Sequence, residues 1–114
     1  MSVKILLERK FKEAPKVEQI EAINELRLRA MQRKRYISGE TLVDLKDNRR
    51  IVVISVWANI EEWEDWFNSE ERRKLEAKLD KYLEESLTVK SFMFGADYLG
   101  DVFTEVLHDS ETAT

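Results

Sequence analysis

The order of apolar patterns along this chain predicts an α+β, ferredoxin-like fold: strand, helix, strand, strand, helix, strand, with a four-stranded antiparallel sheet and both helices on one face. Three observations carry that expectation. A short alternating stretch opens the chain, two helical patterns each separate strand patterns, and the run IVVISVWANIEEWEDWF from Ile51 to Phe67 passes from an apolar, β-branched strand almost directly into an aromatic helix.

Taken in order, Val3 to Phe11 alternates, with Val3, Ile5 and Leu7 on one face and Lys4, Leu6 and Glu8 on the other. Pro15 stands where a helix can begin. From Lys16 to about Lys34 the residues Val17, Ile20, Ile23, Leu28 and Met31 share one broad face, with Leu26 and Ala30 at its edge, which predicts an amphipathic helix whose basic last turn suits the negative end of the helix dipole. Tyr36 to Leu45 alternates again, placing Ile37, Gly39, Thr41, Val43 and Leu45 together, and Lys46 to Arg50 has the chemistry of a hairpin turn into Ile51–Trp57. Asn59 with Glu62 three residues later forms a capping-box spacing ahead of Ile60, Trp63, Trp66 and Phe67. Asn68 and Ser69 then split off a second segment carrying Leu75, Leu79, Tyr82 and Leu83. Leu87 to Phe94 is the last strand, and the tail after Gly95 keeps apolar pairs as far as Leu107. The expected division is a domain over 1–95 and a tail over 96–114, ordered to about residue 107 and packed on the dimer proposed next.

Two helices cover one face of a sheet. Leu6, Leu42, Val52, Ile54, Val56 and Phe92 are nevertheless apolar on the other, so a partner sheet, most simply that of a homodimer, is the expected cover. With 114 residues there is material for one domain. A net charge of -4 with both signs mixed disfavours nucleic acid, and the absence of cysteine excludes disulfides, thiolate metal sites and thiol nucleophiles. A charged N-terminus and the lack of any long apolar run point to a soluble cytoplasmic protein with no membrane partner.

Candidate site residues follow from the helices. Asn24 and Arg27 project from within the first apolar face, where polar groups require partners or a cavity: either Asn24 bonds across to backbone and Arg27 reaches out at the edge, or both line a pocket as hydrogen-bond donors to an oxyanion. Trp63, Trp66 and Phe67 are large apolar anchors or cavity walls. Arg72 points to a cavity mouth or to a neighbouring carboxylate, and Tyr36 and Tyr82 offer phenolic hydrogen bonds. No Ser-His-Asp set, phosphate loop or metal-ligand spacing occurs, so no metal and no cofactor is expected; the single histidine, His108, lies in the tail.

The segments ISGETL from Ile37, VVISVWANIEEWEDWFNSEER from Val52, and TVKSFMF from Thr88 resemble the antibiotic biosynthesis monooxygenase domain, a dimeric α/β-barrel family. The resemblance implies a cavity between helices and sheet in each subunit and two sheets closing into a barrel between subunits. It implies either a cofactor-independent monooxygenase for a small electron-rich aromatic, quinol-like or anthrone-like, or a non-catalytic dimeric small-ligand-binding or stress-related protein. Trp66 falls on the tryptophan of the haem-degrading branch, but the histidine ligand of that branch falls near Glu76, and its first-strand asparagine is replaced by Leu6 and Leu7, so haem degradation is disfavoured. The resemblance adds Trp66 to Asn24 and Arg27 as catalytic candidates.

Overall fold

The computed structural model describes residues 1–99. The expectations for the tail beyond that point, order as far as about Leu107 and the placement of His108 among them, lie outside the described residues. The elements are β1 (Val3–Lys10), α1 (Val17–Met31), β2 (Tyr36–Val43), β3 (Arg50–Trp57), α2 (Ile60–Phe67), α3 (Glu70–Asp80), β4 (Thr88–Met93) and a single turn, α4 (Gly95–Tyr98). The strands form one antiparallel sheet in the order β2-β3-β1-β4, so the two most apolar strands occupy its centre.

Registers fix which residues face the helices. Val3, Ile5, Leu7 and Arg9 pair with Trp57, Ser55, Val53 and Ile51, and all eight lie on the helix-covered face. Ile5, Ile51 and Trp57 are almost fully inaccessible there, together with Phe11 and Leu79. On the other face Leu6 is opposite Ile54, and Val52 opposite Leu42, which makes the apolar stripe expected from the sequence.

The helix boundaries follow their caps. Asn59 Oδ1 accepts from the Glu62 amide at 2.9 Å and Ser69 Oγ accepts from the Arg72 amide at 3.2 Å, so the predicted split into α2 and α3 occurs where the side chains can satisfy free amides. At the start of α1, the Lys16 amide donates to Gln19 Oε1 at 2.6 Å.

Three local expectations are corrected. Helix α1 buries Gln19, Ala22, Ile23, Leu26 and Ala30, not the face led by Val17, Ile20, Leu28 and Met31, which are exposed. The physical reason is close packing: α1 lies against α3 and the sheet, where alanine admits a neighbouring backbone more closely than a branched side chain does. In β2 a register irregularity between Tyr36 and Ser38 takes Ile37 out of alternation, and Leu45 lies in the turn, fully exposed. Finally Phe94 leaves the sheet to cap α4.

Candidate functional site

Six elements line a cavity of about 30 Å³ beneath the helices, β2 through Tyr36 alone. Leu7 and Arg9 come from β1, Val53, Ser55 and Trp57 from β3, Ile23, Leu26, Arg27 and Ala30 from α1, Trp63 and Trp66 from α2, and Arg72 and Glu76 from α3. That volume accommodates one or two waters, whereas about 150 Å³ is needed for a benzene ring. An aromatic ligand therefore enters only if part of the wall moves.

One end is built of rings. Tyr36 and Trp57 meet edge to face with centroids 5.3 Å apart, Trp57 and Trp63 at 5.9 Å, and Trp63 and Phe67 tilt together at 5.1 Å. The indole N–H of Trp57, completely buried, donates to Ser55 Oγ at 2.9 Å, which explains a serine within an otherwise apolar strand. Gly39 is required by the same packing: a Cβ at that position would lie 2.1 Å from the Tyr36 hydroxyl oxygen. Its carbonyl oxygen accepts from Arg27 Nη2, so one glycine positions both Tyr36 and Arg27.

The other end is charged. Arg9 donates to both oxygens of Glu76, from Nε at 3.0 Å and from Nη2 at 2.6 Å, and Arg72 Nη1 donates to Glu76 Oε1 at 3.1 Å. Arg72 Nε donates to the Phe67 carbonyl at 2.6 Å while its guanidinium stacks over the Phe67 ring at 4.1 Å. All three charged residues of this triad are buried. Burial lowers the Arg72 pKa from the usual arginine value and the neighbouring Glu76 opposes that shift. Arg27 Nε is buried and has no hydrogen-bond partner among the described residues. The lining thus sets three guanidiniums against one carboxylate whose two oxygens are already engaged. Such a surplus of fixed donors in an apolar enclosure favours an anion.

The structure brings Trp63, Trp66, Arg27, Arg72 and Tyr36 together on this lining, with Phe67 stacked behind it. Asn24 is placed elsewhere: it is exposed on α1, because the helix is rotated relative to the expected face. Tyr82 is also outside, in a separate pocket of about 190 Å³ with Phe11, Pro15, Lys16 and Lys81. The reading of Arg72 as partner to a nearby carboxylate matches its contact with Glu76. Sequence reasoning missed Arg9, Ser55 and Trp57 as lining residues and treated Glu76 only as a substitute for histidine. A signal existed for Arg9, since it continues the inward alternation of Val3, Ile5 and Leu7. Beyond the Arg72–Glu76 pair lies an open depression of about 630 Å³, bordered by Phe67, Leu83 and Leu87, so that pair partitions the cavity from the surface. Among the described residues no group of His, Cys, Asp or Glu is arranged to hold a metal, and no helix is long and apolar enough to cross a membrane.

Residues 13–78 match the family model described as antibiotic biosynthesis monooxygenase. Among solved structures, a cofactor-independent oxygenase from Streptomyces nogalater, SnoaB, superposes with a TM-score of 0.72 at 12% identity, covering 82% of this chain and 92% of its own. An antibiotic biosynthesis monooxygenase gives 0.67 at 19% identity, with 81% and 97% covered. A conserved protein from Methanosarcina mazei Go1 gives 0.73 at 10% identity, with 81% and 91% covered. At these identities the likeness is one of fold. No curated protein matches the chain.

Proposed function

We propose, from the premise that this chain belongs to the antibiotic biosynthesis monooxygenase family, that it is a cofactor-independent monooxygenase for a small, flat, electron-rich aromatic of the quinol or anthrone kind. The observation that carries this reading is a cavity lined by aromatic rings and by three guanidiniums against one carboxylate. A substrate oxygen held near Arg27 and the Arg9–Glu76–Arg72 cluster is stabilised as a phenolate or enolate, which lowers the substrate's pKa and enriches the form able to reduce oxygen. For an anthrone-like substrate the balance is simple: the ring CH₂ becomes C=O with one oxygen atom, and the other leaves as water with the two hydrogens. Electrons come from the substrate, so the protein's tasks are to bind the ring against Trp66 and Trp63, hold the anion and exclude bulk water. Entry is by displacement of the Phe67–Arg72 wall toward the open depression, because Arg72 and Glu76 border both the cavity and that depression. The SnoaB structure, described as a cofactor-independent oxygenase from Streptomyces nogalater, supports this reading through its shared fold.

The same reading includes a homodimer through the sheet face that carries Leu6, Val52, Ile54 and Val56, opposite the helices. A second reading, a dimeric ligand-binding protein without catalysis, is favoured by one observation: the carboxylate in the cavity is committed to two arginines, leaving no group placed as a base.

Oxygen uptake by metal-free protein with a panel of hydroquinones and anthrones separates the two. The oxygenase reading predicts rates well above the uncatalysed background, reduced at least tenfold in Arg27→Ala and Trp66→Phe and unchanged in Asn24→Ala. Background rates across the panel, with retained binding of the same compounds, establish the binding protein instead.

A further inference from the structure

The loop from β1 to α1 and the residues that follow α3 border a pocket of about 190 Å³ that shares no residue with the cavity beneath the helices. Backbone fixes its walls: the Lys12 amide donates to the Tyr82 carbonyl at 2.9 Å, and the Glu84 amide to the Lys10 carbonyl at 2.8 Å. Phe11, Pro15 and Tyr82 give the pocket apolar sides. Lys12, Lys16 and Lys81 give it ammoniums, that of Lys81 lying 5.1 Å from the Tyr82 ring centroid. Among the described residues the lysines held in ion pairs are Lys10 and Lys74, so these three have no carboxylate partner, and Glu13 is the one acid on the lining.

Gln19 points to what the pocket holds. It is 5% exposed, the one polar residue among the buried positions of α1, and it lines this pocket. Its Oε1 accepts from the Lys16 amide at 2.6 Å, which fixes the orientation of the side-chain amide, because a backbone N–H can only donate. Nε2 is then left with two N–H groups and no acceptor among the described residues. It is not one of the unpaired polar atoms sealed from solvent, Arg27 Nε and Thr41 Oγ1, so the access it keeps is to the pocket. A glutamate at this third helical position would cap the same Lys16 amide and suit the positive end of the helix dipole better. Glutamine sacrifices that gain and keeps a buried donor free. We propose that the pocket is a second binding site, separate from the cavity and independent of the oxygenase reading, for a single-ring aromatic carboxylate. The carboxylate accepts from Gln19 Nε2 among the three ammoniums, and the ring lies against Phe11, Pro15 and Tyr82. A cavity of about 150 Å³ accommodates benzene, so this one has room for one ring and its carboxylate.

The test follows the Gln19 side-chain amide by NMR in the ¹⁵N-labelled full chain. The probes are benzoate, benzamide, which has the ring without the charge, and acetate, which has the charge without the ring. Benzoate is expected to shift the Gln19 amide saturably and to bind at least tenfold more tightly than either of the others. Gln19→Glu keeps the cap but removes the donor and adds a second carboxylate, so it is expected to weaken benzoate binding at least tenfold with an unchanged circular dichroism spectrum. Lys81→Gln, at an exposed position, is expected to weaken it about threefold. Saturable shifts at the Trp63 and Trp66 indoles but not at Gln19 overturn the proposal. So does equal binding of acetate or benzamide, or benzoate affinity unaltered in both variants.

Discussion

The two ends of the cavity are built by opposite physics. At the ring end, Tyr36, Trp57, Trp63 and Phe67 contribute shape and buried apolar area, and the buried indole N–H of Trp57 donates to Ser55. This end is part of the core and stabilises the fold. At the charged end, Arg9, Glu76 and Arg72 are removed from water, and desolvation offsets most of what their mutual attraction returns. A protein selected for stability alone would fill that space with aliphatic side chains. On the proposed function the two ends have different purposes: the rings stabilise the fold and the charges hold a ligand.

The comparison breaks first at Glu76. Glu76→Ala leaves two buried guanidiniums without their counter-charge and is expected to destabilise by about 3–5 kcal/mol, read from urea or thermal unfolding. A loss under about 1 kcal/mol would mean that water already screens the cluster. Replacing the whole triad, Arg9→Met with Glu76→Leu and Arg72→Met, is expected to leave stability equal or up to about 4 kcal/mol higher, since no charge is then stranded. Substantial destabilisation of this variant would make the triad structural and erase the contrast. At the ring end even a methyl group matters: Gly39→Ala is expected to cost about 1–3 kcal/mol by pushing on Tyr36, and near-ultraviolet circular dichroism should report the displaced rings.

The smallest effect lies outside the cavity and sets the scale for an ordinary surface pair. A hydrogen bond from Arg50, followed by its charge, lowers the Glu8 pKa below its usual value. The depressed folded-state value means that the contribution is present above the unfolded pKa and disappears as pH falls through the folded one. The difference in melting temperature between wild type and Glu8→Gln is thus expected near neutrality, to correspond to less than about 1 kcal/mol, and to close in acid. A gap that widens on acidification would contradict the assignment.

These regions also differ in how far the sequence discloses them. The strands, the caps at Asn59 and Ser69, and the helical part of the ring end, Trp63 and Phe67, were readable because each depends on residues close in sequence, through alternation, helical spacing and a side chain reaching the nearest free amide, whereas Trp57 meets Tyr36 only across the pairing of β2 with β3. The charged end was hidden because Arg9 and Glu76 stand 67 positions apart and meet only when β1 and α3 fold onto each other. The α1 face was misread for a different reason. Periodicity weights large apolar residues, while the core chose the small ones, so Ala22 and Ala30 went inside and Val17, Leu28 and Met31 remained outside, taking Asn24 with them. The apolar stripe on the outer sheet face was anticipated from Leu6, Val52 and Ile54, and the partner that covers it is a proposal.

All three tryptophans line the cavity, so intrinsic fluorescence reports on it without labelling. The most direct test of the charged end is a fluorescence titration with 2,5-dihydroxybenzoate and its neutral isostere 2,5-dihydroxybenzamide, on the wild type and on the folded triad-replaced variant. The account predicts that the wild type binds the anion at least tenfold more tightly than the amide and that this preference vanishes in the variant. Equal affinities in the wild type, or a preference that survives loss of the triad, would contradict it.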